Sequence, residues 1–194
     1  PTMLLELLSH QNFADMRYGN DPRFKFLVSR AIYKGVLRYL ASQYNVPYTV
    51  QPLPVESFSA TFLSAESADV KLSWQPVLDE LEVSAEPDYY IVYTRQNNGD
   101  WDNGKRVSNT TYSFTAEVGV RYDLRVVAGN AGGISMPSEV LSAYIAPEEK
   151  GRILVLNAFT RVSGPDWFED STYVGIKPQS QGVGYGKDIS YIGE

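Results

Sequence analysis

The sequence predicts a mainly β protein built around a β-sandwich, and three observations predict it. Between residues 57 and 146 apolar and polar residues alternate: Val70, Leu72 and Trp74 with Lys71 and Ser73; Tyr90, Val92 and Thr94 with Ile91 and Tyr93; Tyr122, Leu124, Val126 and Ala128 with Asp123, Arg125 and Val127. Successive side chains of a strand point to opposite faces, so this period sends one set into a core. The runs are separated by turn-forming clusters, Asn97-Asn98-Gly99-Asp100, Asp102-Asn103-Gly104 and Asn130-Ala131-Gly132-Gly133, whose residues tolerate the positive φ that tight turns need. About seven short strands in roughly ninety residues, with a tryptophan early, fit two packed sheets.

Composition limits the rest. A chain of 194 residues, 43% hydrophobic, has room for one or two domains with real cores. A net charge of -6 argues against a nucleic-acid binder, because no large positive surface is available to displace counterions from phosphates. The absence of cysteine excludes disulfides and thiolate metal sites. No apolar run reaches the roughly 20 residues of a membrane span, and no basic start followed by an apolar stretch marks a signal peptide. A chain that opens on Pro1-Thr2-Met3 inside a strand-like run is expected to be part of something longer.

Taken in order, residues 1–45 open with Met3-Leu4-Leu5-Glu6-Leu7-Leu8, an apolar run around one carboxylate. By periodicity alone it reads as a buried parallel strand or a piece of helix. Asp21-Pro22 is a helix start, since Asp accepts from free first-turn amides and Pro has no amide hydrogen to lose. The helix is expected over 22–44, with Phe24, Leu27, Val28, Ala31, Ile32, Gly35, Val36, Tyr39 and Leu40 as its apolar stripe and Arg30, Lys34 and Arg38 on a solvated face. Such a stripe needs cover, from the sandwich, from the C-terminal segment or by self-association. Residues 46–56, with Pro47, Pro52 and Pro54, read as a stiff linker. The sandwich follows over 57–146. Beyond it, in residues 147–194, Arg152-Ile153-Leu154-Val155-Leu156-Asn157 reads as the first strand of a parallel α/β sheet, too short a beginning to complete one. A loop with Trp167 and Phe168 and the glycine-rich stretch Gly182 to Gly186 come after it.

Two resemblances add to this reading. Residues 1–15, in the pattern Pro-x-x-Leu-x-Glu-Leu-x-Ser-x-x-Asn-x-x-Asp, resemble the last strand and following loop of zinc-dependent N-acetylmuramoyl-L-alanine amidases, which cut peptidoglycan. The resemblance makes Met3–Leu8 a strand and Glu6 the catalytic acid/base of the parent enzyme, whose zinc is held by two histidines and a second glutamate upstream. With His10 the only histidine, no such site closes within one copy of this chain, and no cofactor is expected in it. His10 itself reads as a loop residue, and Ser9 and Asn12 as caps of nearby backbone amides.

Residues 57–146 resemble a fibronectin type III module, on Leu72-Ser73-Trp74, Tyr90-Ile91-Val92-Tyr93, Gly119-Val120-Arg121-Tyr122-Asp123-Leu124-Arg125-Val126-Val127-Ala128-Gly129-Asn130 and Ser135-Met136-Pro137-Ser138. It implies structural roles for Trp74, in the core, and for Tyr122, as the corner tyrosine whose hydroxyl bonds back to the backbone. Amidase, fibronectin module and a further α/β region follow one another in exported bacterial proteins often labelled xanthan lyases. The expectation is a non-catalytic spacer or binding module of an extracytoplasmic cell-wall protein. Its partners would be the upstream catalytic domain and peptidoglycan or another polysaccharide. The competing reading is an adhesion or carbohydrate-binding sandwich in which Glu6 is structural.

Overall fold

The computed structural model describes residues 4–156 and 165–179. These fall into two compact units, one drawn from residues 4–45 and 165–179 and the other from residues 46–156.

In the second unit the alternating runs form β1 (Glu56–Phe62), β2 (Asp69–Gln75), β3 (Tyr89–Gln96), β4 (Lys105–Val107), β5 (Thr111–Thr115), β6 (Arg121–Asn130), β7 (Gly133–Ile134) and β8 (Leu141–Tyr144). One sheet has the order β1-β2-β5, and the other has the order β4-β3-β6-β7, with β8 also paired to β6. All these strand pairs are antiparallel. The inward set is the one the period of two selects: Val70, Leu72, Leu124, Val126 and Ala128 have no exposed surface, Trp74 is 3% exposed, and Tyr90, Val92 and Tyr122 join the same cluster. Trp74 packs its ring edge-on to Tyr90, with centroids 5.4 Å apart, and to Phe58 at 6.5 Å. The Tyr122 hydroxyl accepts from the Glu117 amide at 3.3 Å, closing the corner that leads into β6.

The edge after β7 is irregular, and two serines complete it. Ser135 Oγ accepts from the Ala128 amide at 2.9 Å, and Ser138 Oγ accepts from the Val126 amide at 3.0 Å. Each hydroxyl also donates to the next residue's carbonyl, Met136 or Glu139. Hydroxyls thus supply the acceptors that the edge of β6 needs around Pro137, which has no amide of its own to donate.

The segment 46–56, read as a linker, is built into this unit. Val50 and Pro52 are fully buried, and Val55 is 6% exposed. The Val50 amide donates to Ser84 Oγ at 3.2 Å. Asn130 is the anchor: its Nδ2 donates to the carbonyls of Val50 (2.9 Å), Ser84 (3.0 Å) and Glu86 (3.2 Å), while its Oδ1 accepts from the Gly132 amide at 2.8 Å. One buried amide side chain ties the entry segment, the 3-10 turn at Val83–Ala85 and the end of β6 together. Gly132 lets the strands approach there, since a Cβ would stand 2.5 Å from the Thr49 carbonyl oxygen.

The first unit holds α1 (Phe13–Gly19) and α2 (Pro22–Tyr44). Asn12 caps α1 by accepting from the Ala14 amide at 2.9 Å, and Asp21 caps α2 by accepting from the Arg23 amide at 2.9 Å. Asn45, at φ 52 and ψ 47, ends α2 in the left-handed conformation. Much of the α2 stripe is open to solvent: Leu27 is 63% exposed and Tyr39 49%, and Ala41 is the one buried residue of the helix.

Two expected strands are absent from the described residues. Residues 4–8 pair with no strand, and Leu8 has φ 59, which breaks an extended run. Residues 152–156 likewise form no strand, and Ile153 to Leu156 are 74–91% exposed. A buried parallel strand exists only between neighbours that satisfy its amides and cover both faces, and no described strand pairs with either run. Asn157 and the stretch Gly182 to Gly186 lie outside the described residues. Trp167 and Phe168, read as loop residues, belong to a hairpin of β9 (Trp167–Glu169) and β10 (Val174–Ile176). Asp170 holds its turn by accepting from the Thr172 and Tyr173 amides, both at 2.7 Å. These bonds keep the exposed Asp170 carboxyl below the ordinary value.

Candidate functional site

Glu6 lies exposed in an extended segment, and His10 lies exposed in the turn that follows it. Ser9 Oγ accepts from the Gln11 amide at 3.3 Å, and the Ser9 amide donates to Asp15 Oδ2 at 2.9 Å, so this loop is organised by local caps. The residues present do not fit a zinc centre. Among the described residues no three of His, Cys, Asp and Glu come together, and a single imidazole beside one carboxylate is a poor donor set.

The side chains that do converge are on the outer face of the β4-β3-β6 sheet. Cross-strand register places Tyr89 opposite Gly129, Ile91 opposite Val127, Tyr93 opposite Arg125, Arg95 opposite Asp123, and Arg106 of β4 opposite Ile91. Directly opposed residues of an antiparallel pair share a face. The outward positions of β3, β4 and β6 therefore carry Arg95, Arg106, Arg121 and Arg125 against a single carboxylate, Asp123.

These side chains interlock. The Tyr89 ring lies on Gly129, where a Cβ would stand 2.4 Å from ring carbons. Arg106 sits over that ring, 3.6 Å from its centroid. Trp101, in the β3–β4 loop, faces the guanidinium of Arg125 at 4.2 Å and that of Arg95 at 4.8 Å, and Arg125 also lies 5.4 Å from the Tyr93 centroid. Cations over ring faces are attracted by the ring quadrupole, by roughly 0.5–1 kcal/mol each where water has access.

Asp123 anchors one end of the array. It is 3% exposed and accepts from Arg95 Nε at 3.0 Å, Arg121 Nη2 at 3.1 Å and Ser142 Oγ at 2.6 Å. Burial pushes its carboxyl up, but the bonds from Ser142, Arg95 and Arg121 and the Arg121 charge outweigh burial and hold it below the ordinary value. At the other end a cavity of 290 Å³ opens among Tyr93, Arg125, Val127, Ile134, Ser135 and Pro137. Its floor is Val127, 4% exposed, and its rim includes Ile134, 43% exposed.

Sequence reasoning missed this face because it was sorting inward residues from outward ones. The signal was present in the outward positions, where Tyr89, Tyr93 and Arg95 of one run, and Arg121 and Arg125 of another, recur at even spacings of two and four.

The strand order and register define the class, a fibronectin type III-like β-sandwich flanked by a helical segment and a hairpin. No family model matches the chain. No curated protein matches it either. Among solved structures it is similar to the twitchin kinase region from C. elegans, at 24% identity over 53% of this chain, with a TM-score of 0.41. It is similar to titin kinase with its flanking domains at 22% identity over 50% of this chain, with a TM-score of 0.40. The matched part spans 18% of each of those two chains. It is also similar to the FN5 domain of Drosophila Lar, at 18% identity over 50% of this chain and 99% of that one, with a TM-score of 0.37. Among the described residues no helix is long and apolar enough to cross a membrane.

Proposed function

We propose that the chain is a non-catalytic binding or spacer module of an exported, cell-wall amidase-like protein. The observation that carries the binding role is the outer sheet face, where four arginines and the rings of Tyr89 and Tyr93 are fixed on paired strands, with Trp101 of the β3–β4 loop against them. A fold hosts many functions, and binding has to be argued from such a site. The resemblance of residues 1–15 to the end of an amidase domain supports the parentage. Under it Glu6 is the acid/base of the parent enzyme, working with zinc ligands that the parent supplies elsewhere. Glu6 is exposed, and among the described residues it has no companion donor set. Peptidoglycan as ligand and an extracytoplasmic location follow from the same resemblance.

Sedimentation with purified peptidoglycan tests the reading. The full chain is expected in the pellet, and release from it as salt rises is expected of a contact made by exposed charges. A chain that stays in the supernatant at low salt contradicts a wall-binding role, and one that pellets equally with neutral polysaccharide points to carbohydrate binding of the competing kind.

A further inference from the structure

Resting on that binding role, the geometry points to the ligand chemistry: we propose that the outer face of β4-β3-β6 binds an extended acidic peptide through its carboxylates, not a sugar ring by stacking. Aromatic platforms for sugars need open ring faces, and here those faces are taken. Tyr89 has Gly129 beneath it and Arg106 above it, and Trp101 is faced by Arg95 and Arg125. Of the arginines not bound to Asp123, Arg106 is exposed and Arg125 half-buried, and a guanidinium's planar fork of donors matches a carboxylate.

Charge and spacing agree with this. The face carries four arginines and one carboxylate, Asp123, in a chain whose formal charge is -6. A positive face on an acidic protein steers anionic partners to one place and repels them from others. Arg106 lies in the row of Ile91, Arg125 in the row of Tyr93, and Arg95 in its own row with Asp123. Arg106 and Arg125 stand one row apart on the two strands either side of β3, about 12 Å between backbones, close to the separation of side chains four residues apart in an extended peptide. Carboxylates at that separation in a peptide crossing β3 would meet Arg106 and Arg125. The cavity beside Arg125, floored by Val127 and edged by Ile134, would take one small apolar side chain.

The probe is a synthetic peptide alternating glutamate with serine, with one serine replaced by valine, titrated into the isotopically labelled full chain and followed by amide chemical shifts. A glutamine-for-glutamate peptide and polygalacturonate serve as comparisons. The expected result is saturable shifts at Tyr93, Arg106, Arg125 and Ile134, with an affinity that falls with salt. Arg106→Gln, at an exposed position, should weaken the association by about fivefold, the scale of one exposed charged contact, and Arg125→Gln should add to the loss while the remaining spectrum keeps its dispersion. Equal binding of the glutamine peptide, shifts confined to other surfaces, or no effect of Arg106→Gln would overturn the proposal, and polygalacturonate binding as tightly as the peptide would overturn its choice of a peptide. If wild-type chain pellets with peptidoglycan and Arg106→Gln does so equally, the wall-binding role stands and this face is excluded. If the peptide binds as described but the chain does not pellet, the wall-binding role fails and this face stands.

Discussion

Three side chains concentrate the energetics of the sandwich. Trp74 fills the centre of the core against Phe58 and Tyr90, so Trp74→Ala should cost roughly 3–5 kcal/mol through lost burial and a cavity, read as a shift in the denaturant midpoint. Asn130 is less conspicuous and comparably placed. Asn130→Ala would strip the carbonyls of Val50, Ser84 and Glu86 of the same donor group, and a loss of at least ~2 kcal/mol is expected, since a buried acceptor left unmet costs about 1–3 kcal/mol. Asp123 makes stability depend on acid. Its folded pKa is lowered, so its contribution is complete above the unfolded carboxyl value, near 3.9, and is lost as pH falls through the folded value. A stability profile of Asp123→Asn should therefore converge on wild type at low pH and fall below it above pH ~5; parallel curves across that range would deny Asp123 the role. At this scale the sequence was readable where a residue obeys the period, as Trp74 does. Asn130 could not be picked from the turn cluster Asn130-Ala131-Gly132-Gly133, because three of its bonds reach residues 44 to 80 positions away.

Among elements, the strands of the sandwich were legible and the irregular segments were not. Alternation in β2 and β3 marks the core face directly, because the inward positions are buried and the outward ones are more open, whereas β6, at the centre of its sheet, is largely buried on both faces and shows its core side by residue type. Residues 46–56 show no alternation, and their prolines suit an extended spacer as well as an edge segment held by side chains. Only packing separates the two, and here Val50 and Pro52 are sealed from solvent. Val50→Ala is accordingly predicted to cost about 2 kcal/mol, where the same change in a free linker would cost nothing. The apolar runs at 4–8 and 153–156 failed as strands for the complementary reason. Hydrophobicity without period gives no partner, and a strand is defined by its partner. The β9–β10 hairpin was hidden in a run with few alternating positions, its register set by the Asp170 turn and by Phe168 lying over Gly175.

For the molecule as a whole, the sandwich carries a buried core and a charged outer face, and the first unit carries Glu6 at an exposed position. The resemblance in residues 1–15 says what Glu6 would do in a parent enzyme, and among the described residues no cluster of three His, Cys, Asp or Glu gathers around it. The most direct measurement is amine release from purified peptidoglycan by the full chain supplied with zinc, compared with Glu6→Gln. A module that binds without cutting predicts that both proteins release no more than the protein-free background. Release of stem peptide by the wild-type chain, abolished by Glu6→Gln, would contradict it.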